Sequence, residues 1–307
     1  MHASLLPKGI FSAQWIPVDQ QGRVDRALLA THLEFEKNAG ISGVLALGST
    51  GEFPFFSVDE RKELLEIVAE LASPLTLYAN ITDIRPKAVV ELGLHAKSLG
   101  YKAVGVMPPM FYPVSQADIL AFFQHVAEKV DLPVMLYNFP ELTGKRIDLP
   151  TVSAFADSGK MIAIKQSGGE FAYHHELIAL GREKGFAVMS GSDTRLPEVF
   201  KLGAAGCIGG LVNIVPELMV LIDRVCRQGQ PGDCTAAAAL MTELGPIIDQ
   251  MKFPPNIAAG LEARGFAYGA LKNIQSEESR QLHRKIVGEL VALFKRHQVK
   301  LATSAAA

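Results

Sequence analysis

Short apolar runs alternate with longer amphipathic stretches along most of the chain. Eight of the runs predict buried strands, because they are too short for helices and are bounded by glycine or polar turns. Their starts lie about 20–33 residues apart, which is the length of one strand plus one helix and its loops. The predicted strands are Ile10–Trp15, Gly43–Leu47, Leu75–Asn80, Ala103–Met107, Pro133–Tyr137, Met161–Lys165, Ala187–Ser190 and Gly206–Ile208.

The stretches between these strands have helical patterns. One of them opens with Ser57 followed by Glu60 three residues later, which is a capping box. Eight strand–helix units predict a closed (β/α)8 TIM barrel of the α/β class, with a doubly wound open sheet as the alternative. The predicted helices of this part are Val24–Asn38, Ser57–Leu71, Arg85–Leu99, Ser115–Val130, Phe171–Lys184 and Asp193–Leu202.

The pattern changes after the eighth strand, where helices follow one another without strands. The breaks fall at Gln228–Gly232 and at Pro254-Pro255. We therefore expect a barrel over residues 1–225, a C-terminal helical segment over 226–301 and a disordered tail over 302–307. The predicted helices here are Leu218–Arg227, Cys234–Met251, Asn256–Arg264 and Glu278–His297.

Composition is that of a globular enzyme. The 307 residues are 49% hydrophobic and 20% charged, and 30 basic residues face 32 acidic ones, for a net charge of −2. This balance gives no support for a nucleic acid or an anionic membrane as partner. No apolar run reaches 18 residues, the N-terminus lacks a signal-peptide core, and three cysteines form no metal motif. We expect a cytoplasmic protein.

The candidate chemistry centres on Lys165, which ends the apolar run Met161–Ile164. Residues at the C-terminal ends of barrel strands face the active site. A lysine there can lose water, which lowers its pKa and makes the amine a nucleophile toward a carbonyl. The alternative is a lysine that caps a strand at the surface.

Two other turns could contribute to a site. Gly48–Glu52 follows the second strand, and its hydroxyls and backbone N–H groups could bind an anion or carboxylate. Tyr137 ends the fifth strand, next to the strand of Lys165, so its phenol could move protons or bond a carboxylate. The alternatives are an ordinary turn and a packed rim tyrosine.

Three further features have alternative readings. Gly203–Gly210 could hold a phosphate, although glycine where backbones crowd is the favoured interpretation. Asp193 could orient substrate hydroxyls or cap the next helix. His174 and His175 point about 100° apart on a helix, which favours a solvated pair over a metal site.

Three motifs, in this order, resemble the dihydrodipicolinate synthase / N-acetylneuraminate lyase family. They are Gly48–Glu52, Tyr137–Pro140 with Thr143-Gly144, and Ile164–Gly168. The resemblance extends from about residue 8 to the last helix. It implies a (β/α)8 barrel with a C-terminal helical segment, a homotetramer, and a class I aldolase mechanism without metal or organic cofactor.

The resemblance also implies roles for individual residues. Lys165 matches the Schiff-base lysine and Tyr137 the proton-shuttling tyrosine. Ser49 and Thr50 match the hydroxyl pair that holds the substrate carboxylate, with Thr50 also bonding the tyrosine, and Ile208 matches a residue facing the pyruvyl group. The other predicted substrate-binding residues lie in the turns after the second, sixth and seventh strands: Gly48, Ser167, Gly191 and Asp193.

Departures from the family pattern concern the substrate. Leu142 stands where dihydrodipicolinate synthases usually carry an arginine that binds the aspartate-semialdehyde carboxylate. Neuraminate lyases usually have Asp-Glu where this chain has Asp193-Thr194. Phe111, beside Tyr112, occupies the place of a second tyrosine that the synthases supply across a subunit interface, so either Tyr112 substitutes or the relay is shorter.

The sequence therefore predicts a Schiff-base lyase that acts on pyruvate or another 2-oxo acid. Retro-aldol cleavage of a 2-keto-3-deoxy sugar acid is the preferred reaction. The alternatives are a dehydratase or decarboxylating dehydratase of such an acid, dihydrodipicolinate synthase itself, a non-catalytic 2-oxo-acid-binding protein, and a phosphate-binding barrel isomerase.

Overall fold

The strands close into a barrel in the computed structural model, which describes residues 6–301. All eight are parallel and pair in chain order, and the first pairs with the eighth. This confirms the (β/α)8 barrel and rules out the open sheet, which would leave two unpaired edges. The strands are β1 (Gly9–Ala13), β2 (Gly43–Ala46), β3 (Thr76–Asn80), β4 (Ala103–Val106), β5 (Val134–Asn138), β6 (Met161–Gln166), β7 (Ala187–Ser190) and β8 (Gly206–Gly209).

Helices cover the outside of the barrel. The predicted capping box is present, since Ser57 accepts from the Glu60 N–H and the Glu60 carboxylate accepts from the Ser57 N–H. The barrel helices are α1 (Arg26–Ala39), α2 (Val58–Leu71), α3 (Pro86–Ser98), α4 (Gln116–Val130), α5 (Pro140–Thr143), α6 (Leu149–Ala156), α7 (Tyr173–Lys184), α8 (Leu196–Leu202) and α9 (Pro216–Ile222).

The helices α5 and α6 were not predicted. The eight residues of α6 include β-branched Thr151 and Val152, which have low helix propensity. The helix packs between α4 and α7 and buries Val152 and Phe155. Tertiary burial, rather than local preference, therefore accounts for this helix.

Side chains fill the interior of the barrel. The rings of Phe11 and Tyr78 stack inside it with centroids 5.2 Å apart, and Met135 and Met189 belong to the same buried cluster. A second cluster lies between the strands and the surrounding helices. Because the interior is packed, the space left for a ligand is at the C-terminal ends of the strands.

The C-terminal helices are α10 (Thr235–Ile248), α11 (Pro255–Ala263) and α12 (Glu277–Arg296). The expected boundary at 225/226 falls inside the π-helical turn Asp223–Arg227, and the division into two parts stays a prediction. The expected disorder of residues 302–307 lies outside the described residues. Within residues 6–301, no helix combines the length and apolar character needed to span a bilayer.

Candidate active site

A cavity of about 440 Å³ opens at the C-terminal ends of the strands. It gathers side chains from turns that are far apart in sequence, as expected for a barrel active site. Among the predicted site residues, Gly48 lies in its turn without lining the cavity. The predicted residues that do line it are Ser49, Thr50, Tyr137, Lys165, Ser167, Gly191, Asp193 and Ile208.

Lys165 and Tyr137 form the polar centre of the cavity. They are direct partners in the β5–β6 register, so both side chains project to the same side of the sheet. The Lys165 ammonium donates to the Tyr137 hydroxyl over 3.0 Å, and the two residues are only 3% and 1% exposed. The alternative of a lysine that caps a strand at the surface is therefore wrong. A proton-moving role for Tyr137, rather than that of a packed rim tyrosine, stays a prediction.

A serine extends this pair toward the turn after β2. Ser49 Oγ lies 2.9 Å from the Tyr137 hydroxyl, so lysine, tyrosine and serine form one hydrogen-bonded chain. The resemblance assigned this contact to Thr50, which instead lines the cavity without that bond. Both residues line the cavity, and their predicted role in holding a carboxylate stays a prediction.

The turn after β2 is fixed by a lysine from the C-terminal segment. Glu52 has a left-handed backbone with φ of 59°, and its carboxylate lies 2.8 Å from the Lys272 ammonium. Lys272 also donates to the Ile16 carbonyl and lies over the Trp15 ring. Burial lowers the pKa of Lys272, and the neighbouring Glu52 opposes this shift. The C-terminal segment thus clamps the turn that carries Ser49 and Thr50.

This buried pair leads to a stability prediction. Lys272→Met should destabilise the protein by about 3–5 kcal/mol, because it leaves the Glu52 carboxylate buried without a partner. Urea denaturation measures the change. Lys285→Met is the control, since its pair with Glu289 is exposed and such pairs contribute about 0–1 kcal/mol. Equal effects of the two substitutions would contradict the clamp.

Asp193 reaches across to the loop after β8. One carboxylate oxygen accepts from the Leu211 N–H over 2.8 Å, and the other accepts from the Cys207 thiol over 3.4 Å. The helix-cap interpretation is therefore wrong. Burial raises the pKa of the Asp193 carboxyl, while the Leu211 N–H and the charge of Lys165 pull it down. A Cβ at Gly209 would overlap this carboxylate and force the Asp193 side chain to shift, so glycine leaves room for these two hydrogen bonds.

The structure also decides between the alternatives given above for the glycines of β8 and for His174. A Cβ at Gly206 would collide with the backbone of Gly9 on β1, as the crowding interpretation predicted. His174 is buried, not solvated as predicted: one ring nitrogen lies 2.9 Å from Ser190 Oγ and the other 3.0 Å from the Phe171 carbonyl. Burial lowers the pKa of His174. This ring supports the end of β7.

The position at which the synthases carry their second tyrosine is on the surface of this chain. Phe111 is 82% exposed with φ of 80°, and Tyr112 beside it is also exposed. Neither lines the cavity. The expected homotetramer stays a prediction, as does a role for Tyr112.

Sequence reasoning missed one whole wall of the cavity. Residues of the C-terminal helical segment also line the cavity, although they come more than 80 positions after Lys165 in the chain and no motif marks them. We call this surface the distal wall; it consists of Ile248, Asp249, Phe253, Asn256 and Ile257.

Comparison with known proteins agrees with this geometry. The model of the dihydrodipicolinate synthetase family matches residues 6–287. The 4-hydroxy-tetrahydrodipicolinate synthase of Methanococcoides burtonii is 29% identical over 241 residues, which cover 78% of this chain and 81% of that protein.

Solved structures share the fold over nearly the whole chain. YagE, a prophage protein of the dihydrodipicolinic acid synthase family from E. coli K12 in complex with pyruvate, superposes with a TM-score of 0.87 at 25% identity, covering 95% of this chain and 99% of that one. N-acetylneuraminate lyase from Fusobacterium nucleatum has a TM-score of 0.83 at 23% identity, covering 94% and 98%, which shows a common fold.

Proposed function

This chain belongs to the dihydrodipicolinate synthetase family, and from that premise we propose that it is a Schiff-base-forming lyase that cleaves a 2-keto-3-deoxy sugar acid to pyruvate and an aldehyde. The observation that carries the proposal is the buried hydrogen-bonded chain of Lys165, Tyr137 and Ser49 inside the cavity. The pyruvate complex of YagE supports a pyruvate-like substrate.

The geometry supports each step of this chemistry. The Lys165 amine attacks the C2 carbonyl, and loss of water gives an iminium. Ser49 and Thr50 hold the substrate carboxylate. Tyr137 takes the proton of the C4 hydroxyl as the C3–C4 bond breaks, and the electron pair moves to the iminium nitrogen. The aldehyde leaves, the enamine is protonated at C3, and hydrolysis releases pyruvate and the free lysine.

Assaying pyruvate release from a panel of 2-keto-3-deoxy sugar acids tests the proposal. The expected result is turnover of at least one member with equimolar pyruvate and aldehyde. If the protein binds pyruvate but turns over no member of the panel, the proposed cleavage is wrong, and the synthase and the non-catalytic binder are the alternatives left.

Dehydration of the same iminium is the second candidate function. It is favoured by the position of Asp193, because a carboxyl group that lines the same cavity is the kind of acid that protonates a departing hydroxyl. The panel separates the two reactions, because dehydration yields a product that has lost water and retains every carbon except where decarboxylation follows.

Aspartate semialdehyde is predicted to be a poor partner for pyruvate. Leu142 is 48% exposed and offers no charge, and the neighbouring Glu141 carboxylate accepts from the Gly169 N–H at the edge of the cavity. A missing bidentate contact is worth about 1.5–3 kcal/mol, so condensation should be at least about tenfold slower than with the best aldehyde. Coupled measurement of the cyclised product checks this; comparable rates would refute it.

A further inference from the structure

The cavity is larger than a three-carbon acid requires. Its volume of about 440 Å³ lies in the range of pockets that enclose ligands of many atoms. Pyruvate bound at Lys165 would occupy the end nearest Ser49 and Thr50. The turns after β6 and β7 and the distal wall supply much of the remaining lining, so the tail of a longer 2-oxo acid would have these surfaces to contact.

Asn256 is the buried polar residue of the distal wall. It is 5% exposed, lines the cavity, and its carboxamide oxygen has no hydrogen-bond partner among residues 6–301. Buried polar groups in proteins are nearly always paired. Asn213 shows the usual case, because its amide bonds the Trp15 N–H and the carbonyls of Ala13 and Gly210. Nine buried side-chain atoms have no hydrogen-bond partner among the described residues, and of the residues that carry them Asn256 is the one that lines this cavity. A ligand in the cavity is therefore the candidate partner of its carboxamide.

The charged side chains around the distal part of the cavity determine which kind of substrate tail can bind there. Two carboxyls line it, those of Asp193 and Asp249. The guanidinium of Arg195 is the cation of this part within the described residues; it is bound by Glu198 and lies over the Phe171 ring. A carboxylate at the far end of the substrate would lie near these two carboxyl groups, and the guanidinium that could bind it already pairs with Glu198. A hydroxyl can donate to a carboxylate and can pair with either end of an amide.

We propose that the distal wall, with Asn256 as its specificity-determining residue, binds a hydroxyl on the uncharged tail of the substrate and discriminates against a tail that ends in a carboxylate. This inference rests on the proposed function, because it places the 2-oxo group at Lys165. The apolar side chains of Phe253 and Ile257 complete the wall and cover the C–H surface of such a tail.

The test compares three 2-oxo acids, each of which would form an iminium with Lys165 through its C2 carbonyl. They are 2-keto-3-deoxygluconate, with an uncharged hydroxylated tail; 4-hydroxy-2-oxopentanoate, with no hydroxylated tail; and 2-keto-3-deoxyglucarate, with a terminal carboxylate. In the unmodified protein, kcat/KM should be highest for the gluconate derivative and at least about tenfold lower for the glucarate derivative.

Asn256→Leu keeps the size of the side chain and removes its amide. It should lower kcat/KM for 2-keto-3-deoxygluconate by about 10- to 100-fold, mainly through KM, and leave 4-hydroxy-2-oxopentanoate within about twofold. Its melting temperature should not fall, because no protein hydrogen bond to the buried oxygen is lost. Asn213→Leu is the matched control, and it should lower the melting temperature. If Asn256→Leu folds poorly, Asn256→Ala replaces it as the variant that lacks the amide.

The outcomes separate this inference from the proposed function. If borohydride traps pyruvate on Lys165 but Asn256→Leu preserves the preference for the hydroxylated probe, the specificity role is wrong and the lyase stands. Equal cleavage of the gluconate and glucarate derivatives by the unmodified protein also overturns the inference. If the unmodified protein traps no pyruvate, the proposed function fails, and the inference falls with it.

Discussion

Lys165→Ala is expected to abolish the covalent adduct that borohydride forms with pyruvate and to lower turnover by about 10⁴-fold or more. The reason is that the substitution removes the nucleophile, and loss of the nucleophile from a covalent mechanism has effects of this size. Intact mass should show one adduct per unmodified chain, and peptide mapping should place it on Lys165. The variant should fold, because Lys165 faces the cavity and truncation enlarges that space.

Lys160→Ala is the control for this prediction. Lys160 immediately precedes β6, but its side chain is half exposed and pairs with Asp131 at 3.2 Å. The Lys160→Ala variant should keep both the pyruvate adduct on Lys165 and normal turnover. An adduct mapped to any lysine other than Lys165, or one that survives in Lys165→Ala, would rule out the Schiff-base assignment.

Tyr137→Phe is expected to lower turnover by about 10²–10⁴-fold, the usual range for a lost general acid–base group. The ring and its packing remain, and only the hydroxyl between Lys165 and Ser49 is removed. Both of these partners line the cavity, where water can replace the lost bond, so the free energy of unfolding should change little. Steady-state kinetics and melting curves measure the two effects.

Tyr101→Phe gives the opposite pattern and serves as the matched control. The Tyr101 hydroxyl donates to the Leu65 carbonyl over 2.9 Å at a buried site away from the cavity. Its loss should cost about 1–3 kcal/mol of stability and leave turnover unchanged. Near-normal turnover of Tyr137→Phe would mean that Tyr137 serves only to hold the structure.

The strand pattern and the strand-end residues were predictable because they are local. A buried parallel strand has to be apolar, and the barrel then brings the ends of β2, β5 and β6 together, whatever lies between them. This reasoning identified Lys165, Tyr137 and the turn at Ser49. It missed α6, whose helix depends on packing against its neighbours, and the burial of His174, which depends on the end of β7.

The distal wall and the clamp at Glu52 could not be predicted for a different reason. Asn256 and Lys272 act through contacts with residues far away in sequence, and neither belongs to a local motif. Likewise, sequence spacing could not decide which of two adjacent hydroxyls bonds Tyr137. That depends on the backbone of the turn, in which Ser49 faces the phenol.

The position of Lys272 has a consequence for synthesis on the ribosome. Glu52 and its partner Lys272 are 220 residues apart in the chain, so the turn at Glu52 emerges from the ribosome long before the lysine that fixes it. The nearby Trp15 indole likewise donates to the Tyr268 carbonyl, and β1 must wait for β8. A nascent chain can therefore carry every proposed catalytic residue and still lack the finished carboxylate-binding turn. An mRNA truncated before the codon for Lys272 should therefore yield a protein that is inactive, even though Lys165, Tyr137 and Ser49 are all present.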